Sequence, residues 1–344
     1  MFGTLAICYL FLGGAGAGAI VVCSLLDLAW ARQPFGCAAY AQGPQADPAA
    51  RTLDFGFAAG LALVAAGVAC LLADLGRADR ALSLFLHPQP TMLSVGAYAL
   101  AALMLLGGFA VAVRFLYLPR VPRGAVAAAE GIACAAGLAV MLYTGLLLQS
   151  VQGVAFWASP FVPALFVLSS ASSGVAVVLA ATFFVEQADQ PFPQGRVAPV
   201  RRWLVRADAV VIVAEAVCAA GLLLWAHASA HPGVAASLST LTEGDMAMAW
   251  WLGFCACGLA APLAVEVACM ASARGTGRGA SDVGERRARV SALLAAAAAF
   301  VLVGALCLRW SVVCAGVHRD PVLEDVSPVQ GLVLDGGLQT EDDG

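Results

Sequence analysis

MFGTLAICYLFLGGAGAGAIVVCSLLDLAW, residues 1–30, decides the fold. The stretch carries a single charged side chain, Asp27, near its far end. An apolar run longer than about 18 residues crosses the hydrocarbon core of a bilayer as a helix. This run is too long for the apolar region of a signal peptide, has no basic leader and lacks a convincing cleavage site, so it reads as a spanning helix. Working outward, similar blocks recur near 54–74, 92–116, 124–148, 160–186, 205–228, 246–272 and 290–313. Turn chemistry separates them: Pro34, Pro44 and Pro48, then His87-Pro88-Gln89-Pro90, Pro119 and Pro122, Ser159-Pro160, Pro191 to Pro199, His231-Pro232, and Gly275 to Gly284. The fold class is therefore all-α, a polytopic membrane protein of eight transmembrane helices.

Composition agrees. Of 344 residues, 61% are hydrophobic and 12% charged, with a mean hydropathy of +0.88. Soluble domains run nearer half apolar and about a quarter charged. A transmembrane β-barrel is excluded, because its strands are segments of about 10 residues with alternating polarity. A net charge of −4 gives no footprint for nucleic acid; the lipid bilayer is the partner that composition names.

All 18 basic residues are arginine, and they set the orientation. Loops 1–2, 3–4, 5–6 and 7–8 with their flanks hold 14 of them, and the opposite side holds four, Arg77, Arg80, Arg309 and Arg319. The arginine-rich side is cytoplasmic by the positive-inside rule, so both termini face outward. The seven tryptophans fall near predicted helix ends, as an interfacial belt requires. Residues 315–344 read as a flexible acidic extracytoplasmic tail.

An internal repeat organises the spans. YLFLGGAGAGAIVV (9–22) aligns without gaps on LFVLSSASSGVAVV (165–178), setting Gly14 opposite Ser170 and Gly18 opposite Gly174. Four helices separate the two copies. The repeats are thus parallel: a first four-helix bundle over 1–150 and a second over 151–314. Small residues let helix backbones approach closely. In the first bundle the same stripe also offers room for a flat ligand.

Ionisable groups in a bilayer are expensive and mark candidate sites. Helix direction brings Tyr9, Asp74 and Tyr143 to similar depth at the outer end of the first bundle, with Arg77, Arg80 and His87 in the loop above. Gly76 and Arg77 also suit a helix C-cap. Asp27, Glu130, Glu215 and Glu266 lie in the inner half. Glu130 falls roughly 20 Å below Tyr143, at 1.5 Å per residue. Asp27 and Glu130 read either as a proton path from the cytoplasm or as partners of interfacial arginines. His87, His227, His231 and His318 all lie at or beyond outer ends, so no pair is set to ligate a haem. The eleven cysteines are mostly single residues in apolar blocks, with no C-x-x-C, and indicate neither a disulfide framework nor an iron–sulfur cluster in this chain. No metal site is expected, and no P-loop or nucleophile elbow is present.

Three stretches carry a family resemblance: YLFLGGAGAGA (9–19), LADLGRADRALSLFLHPQPTMLSVGAY (72–98) and YTGLLLQSVQGVAFWASPFVPALFVLSSASSG (143–174). In this order and at these positions among eight helices, the chain resembles the NrfD/PsrC family of integral membrane subunits in polysulfide-reductase-like molybdoenzyme complexes. The resemblance is clearest over residues 5–180. It implies a subunit that oxidises or reduces quinol/quinone, with menaquinone the expected species, in the cytoplasmic membrane of a bacterium under anaerobic respiration. It implies partners too, a ferredoxin-like iron–sulfur subunit and a molybdopterin catalytic subunit. Carried over by motif, Tyr143 would hydrogen-bond a quinone carbonyl and Asp74 would sit near the head group. Tyr9, Gly13, Gly16, Arg77 and His87 would complete the pocket, with the quinone tail along Gly13–Gly18. Tyr9 stands where some members have His, and Ala6 where some have Asn. The rival class is an ion or small-molecule transporter built from parallel repeats.

Overall fold

The computed structural model describes residues 3–30, 48–75, 92–116, 121–151, 153–188, 197–272 and 280–316. Among the described residues the regular structure is helical throughout. The helices are α1 (Thr4–Trp30), α2 (Pro48–Leu75), α3 (Met92–Phe115), α4 (Arg123–Gln149), α5 (Phe161–Ala188), α6 (Val197–Ala228) and α7 (Pro232–Thr242). A π-helical segment, Ala249–Ala260, then runs directly into α8 (Ala261–Ser272), and α9 (Ala280–Ala315) follows. Eight of these are long and apolar enough to cross a membrane, the π-helical segment and α8 counting as one.

Three helices begin earlier than hydropathy suggests: α2 at Pro48, α6 at Val197 and α9 at Ala280. Their added turns carry arginines such as Arg51, Arg201 and Arg202. A hydropathy reading stops at such residues, but helical hydrogen bonding does not, because long basic side chains are solvated in the headgroup region. Pro48 and Pro199 sit in first turns, where the missing amide is no loss. The short α7 replaces what the sequence suggests is a loop at His231-Pro232. Proline at its first position is preset for helix entry.

α1 and α5 are the spanning helices buried over most of their length. α1 packs on α2, α4 and α5, while α5 also packs on α6 and α9. Glycine makes the crossing possible. A Cβ on Gly14 would stand 2.6 Å from Ser170 Oγ, and one on Gly18 would overlap the Ser170 carbonyl and reach Gly174 Cα at 3.3 Å. Gly14 with Ser170 and Gly18 with Gly174 are the pairs that the gapless alignment sets opposite each other. Backbone cannot step aside as a flexible side chain can. Gly18→Val is therefore expected to cut the yield of folded protein at least tenfold in fluorescence-detected size exclusion, an overpacking loss of about 3 kcal/mol or more. Gly108, whose Cβ direction is open, should accept alanine without loss.

The tryptophan belt is only partly observed. Trp203 and Trp251 are half exposed, but Trp250 and Trp157 are buried in the core. Trp157 reaches inward because its indole N–H finds a partner there, donating to the Val312 carbonyl at 3.0 Å. Trp250 packs against Phe254, with ring centroids 5.0 Å apart, inside the π-helical segment.

Candidate functional site

The outer site is built on two phenols. Tyr9 of α1 and Tyr143 of α4 are both buried, and their side chains lie within interaction reach of each other. The Tyr143 ring lies directly on Gly96 of α3, where any side chain would collide with it. The Tyr9 ring covers Gly13 one turn along its own helix, 3.4 Å from where a Cβ would stand. Glycines on two helices thus fix the planes of the two rings. A phenol both donates and accepts. Two neighbouring phenols offer O–H protons and lone pairs to a third oxygen. That suits recognition of a carbonyl or hydroxyl in an otherwise apolar interior.

Asp74 ends α2 and is exposed. One of its oxygens lies 2.7 Å from where a Cβ on Gly3 would stand, so the carboxylate leans on the start of α1. Gly3 precedes Tyr9 by six residues, which places Asp74 roughly 9 Å outward of the phenol pair. At the first turn of α1 the carboxylate also meets the positive end of the helix dipole. Tyr9, Tyr143 and Asp74 therefore gather at one end of the bundle, in two layers rather than one. Arg77 and His87 lie outside the described residues.

Gly16 faces the backbone of α2, and the main chain of Gly13 lies against Gly67 of the same helix. A Cβ on Gly16 would stand 2.6 Å from the Gly60 carbonyl oxygen, and one on Gly67 would stand 3.0 Å from the Gly13 nitrogen. α2 fills this side of the stripe and α5 fills the other at Gly14 and Gly18. These contacts are the close helix packing that small residues allow.

The inner site centres on Arg114 of α3. Its Nη2 donates to Asp27 Oδ2 of α1 at 2.7 Å and to Glu130 Oε1 of α4 at 2.7 Å, and its Nη1 donates to Asp54 Oδ1 of α2 at 3.0 Å. One guanidinium thus joins all four helices of the first bundle, with its carbon 4.4 Å from the centre of the Phe57 ring. Asp27 and Glu130 thus lie beside each other at the same nitrogen of the guanidinium. Between the inner and outer sites the interior is apolar. At Gly137 an added Cβ would stand 2.6 Å from Val21 Cγ2 and 3.6 Å from Leu103 Cδ1.

Asp27 and Glu130 are legible from the sequence as buried acids, whereas Arg114 and Asp54 read as flanking residues. The missed signal is an arginine still inside the apolar run FAVAVRF (109–115), with an acid at matching depth on each companion helix. The second bundle holds its own buried polar groups. Asp208 of α6 accepts from Ser172 Oγ at 2.9 Å and adjoins Glu266 of α8. Arg309 of α9 is fully buried.

No curated protein matches the chain. A family model described as polysulphide reductase, NrfD, matches residues 1–319, which spans every helix described above. With that match covering nearly the whole sequence, the chain belongs to the polysulphide reductase NrfD family, the membrane subunits of polysulphide- and nitrite-reductase-type complexes.

Proposed function

We propose that this chain is the quinol-handling subunit of a bacterial respiratory oxidoreductase, exchanging electrons with an iron–sulfur subunit on the extracytoplasmic side that serves a molybdopterin enzyme. The observation that carries the proposal is the buried Tyr9–Tyr143 pair at the end of the first bundle. The orientation rests on the distribution of arginines, 14 to four, which puts both termini and this pair on the extracytoplasmic side. The bundles over 1–150 and 151–314 are read as parallel repeats, supported by the contacts between equivalent residues Gly14–Ser170 and Gly18–Gly174.

Oxidation of a quinol, with menaquinol the expected species, releases two electrons and two protons. Tyr143 holds one head-group oxygen and Tyr9, beside it, orients Tyr143. A proton leaves by the phenols to Asp74, which stands on the way out. Electrons pass to a partner docked over residues 77–89, the stretch that carries Arg77 and His87. Gly13 and Gly16 serve the site by bringing α2 against α1, which sets Asp74 relative to Tyr9. Asp27 and Glu130 begin the proton path at the cytoplasmic end, and transfer outward along it requires water to enter the apolar layer at Val21 and Leu103.

Asp74→Asn tests the exit step. Turnover is expected to fall about tenfold with quinol affinity unchanged, the signature of a lost proton acceptor. Asparagine keeps the capping geometry, so unchanged turnover would leave Asp74 a purely structural role. A transporter is the second reading, favoured by the acid pair Asp208–Glu266 in the second bundle. Co-purification of a cysteine-rich iron–sulfur protein with the native chain decides for the redox reading. A chain that is isolated alone in monodisperse form and moves ions in liposomes decides for the transporter.

A further inference from the structure

Arg309 lies in the apolar run VLVGALCLRW (301–310) of α9, and none of it is exposed. A guanidinium in the interior of a spanning bundle is costly unless its donors are met. Its Nε donates to the main-chain carbonyl of Leu10 in α1 at 3.1 Å. Nη1 donates to Ser169 Oγ of α5 at 3.1 Å and to the Ala305 carbonyl at 2.9 Å, and Nη2 donates to Ser170 Oγ at 2.8 Å. Glu215 of α6 lies beside Ser169 and within electrostatic reach of the guanidinium, which brings a fourth helix to the cluster.

The bond to α1 is the informative one. Inside a helix the Leu10 carbonyl already accepts from the amide four residues on. A second donor is therefore not needed to satisfy α1, and what it adds is a fixed point. Space for it is kept by Gly14, where a Cβ would stand 2.8 Å from Nη2 and 2.6 Å from Ser170 Oγ. The residue held is the neighbour of Tyr9, joined to it by a planar peptide.

We infer that Arg309 is a positioning residue for the quinone site: by holding the Leu10 carbonyl it fixes the height and rotation of the first turns of α1, and so sets the Tyr9 hydroxyl against Tyr143. The second bundle thereby takes part in a site whose ligand-facing groups all lie in the first. The inference rests on the quinone reading above. It needs the forked, planar geometry of arginine, because a lysine ammonium cannot meet Leu10, Ser169 and Ser170 together.

The test is a titration of the full-length chain in nanodiscs with a fluorescent hydroxyquinoline N-oxide as the quinol analogue. The variants are Tyr9→Phe, Arg309→Lys, the two combined, and Ser170→Ala alone and with Tyr9→Phe. Each of the first two is expected to weaken binding about tenfold, and the pair together no more than either alone, since coupled residues are not additive. Ser170→Ala is expected to weaken binding about threefold, and to do nothing further once Tyr9 is Phe. A double variant near a hundredfold weaker would show that Arg309 acts independently of Tyr9 and overturn the inference. Unchanged affinity in Arg309→Lys and Ser170→Ala would overturn it as well. Should Arg309→Lys fail to fold, the Ser170→Ala pair decides by the same criterion. Loss of saturable binding in the wild type would sink the quinone reading and this inference together. Wild-type binding that Tyr143→Phe weakens but the Arg309 and Ser170 variants leave intact would sink the inference alone.

Discussion

Tyr143→Phe is expected to lower quinol oxidation by the native complex about a hundredfold while leaving assembly intact. The ring keeps its seat on Gly96, so nothing in the packing of α3 on α4 changes. What is lost is the hydroxyl that meets Tyr9 and, in the proposed mechanism, the head group. A positioned acid–base group contributes about 10²- to 10⁴-fold to rate, and the low end suits a phenol assisted by a second phenol. Tyr9→Phe should cost less, because it leaves the hydroxyl that faces the head group in place. Gly96→Ala separates seat from chemistry: it keeps both hydroxyls but drives a methyl group into the Tyr143 ring, and should impair turnover and thermal stability together. The check is steady-state turnover with a short-chain quinol, normalised to assembled complex. Full activity in Tyr143→Phe would remove Tyr143 from the mechanism.

Arg114→Gln is expected to have the largest effect on stability. It leaves Asp27, Asp54 and Glu130 facing one another inside the bundle without a cation. Breaking a buried ion pair from one side costs about 3–5 kcal/mol, which in a chain of this size corresponds to a fall in melting temperature of about 4–7 °C. Arg114→Lys should recover part of the loss, since one ammonium satisfies fewer than three carboxylates. Neutralising the whole cluster, by Arg114→Met with Asp27→Asn, Asp54→Asn and Glu130→Gln, should recover most of it, because the penalty lies in the uncompensated charge. A thermal-shift assay of the detergent-solubilised chain measures all three. A ranking in which the neutral quadruple variant is the least stable would contradict this account of the cluster.

Spanning helices are legible in the sequence because a bilayer makes one demand on every segment, and the run from Met1 to Trp30 meets it in plain view. Helix ends are less legible where Arg51 and Arg201 end the hydropathy signal but not the helix. Tyr9 and Tyr143 could be brought together from helix direction and depth alone. The seating of their rings could not, since it depends on rotation about each helix axis and, for Tyr143, on a contact with Gly96 that is distant in sequence. The stripe Gly13–Gly18 shows the limit most clearly. Small residues open space, but only the neighbours decide what fills it, and here α2 and α5 do. Arg114 and Arg309 were hidden for a related reason. An arginine near a helix end reads as an interfacial flank unless the acids and carbonyls of other helices are known to face it.

The most direct measurement of the central claim is equilibrium binding of a fluorescent quinol analogue to the purified wild-type chain, followed by displacement with a menaquinol. A site formed by Tyr9 and Tyr143 predicts saturable one-to-one binding, full displacement, and an affinity about tenfold weaker in Tyr143→Phe, the scale of one lost hydrogen bond. Binding that is absent from well-folded wild-type protein, or that is indifferent to Tyr143→Phe, would contradict the account.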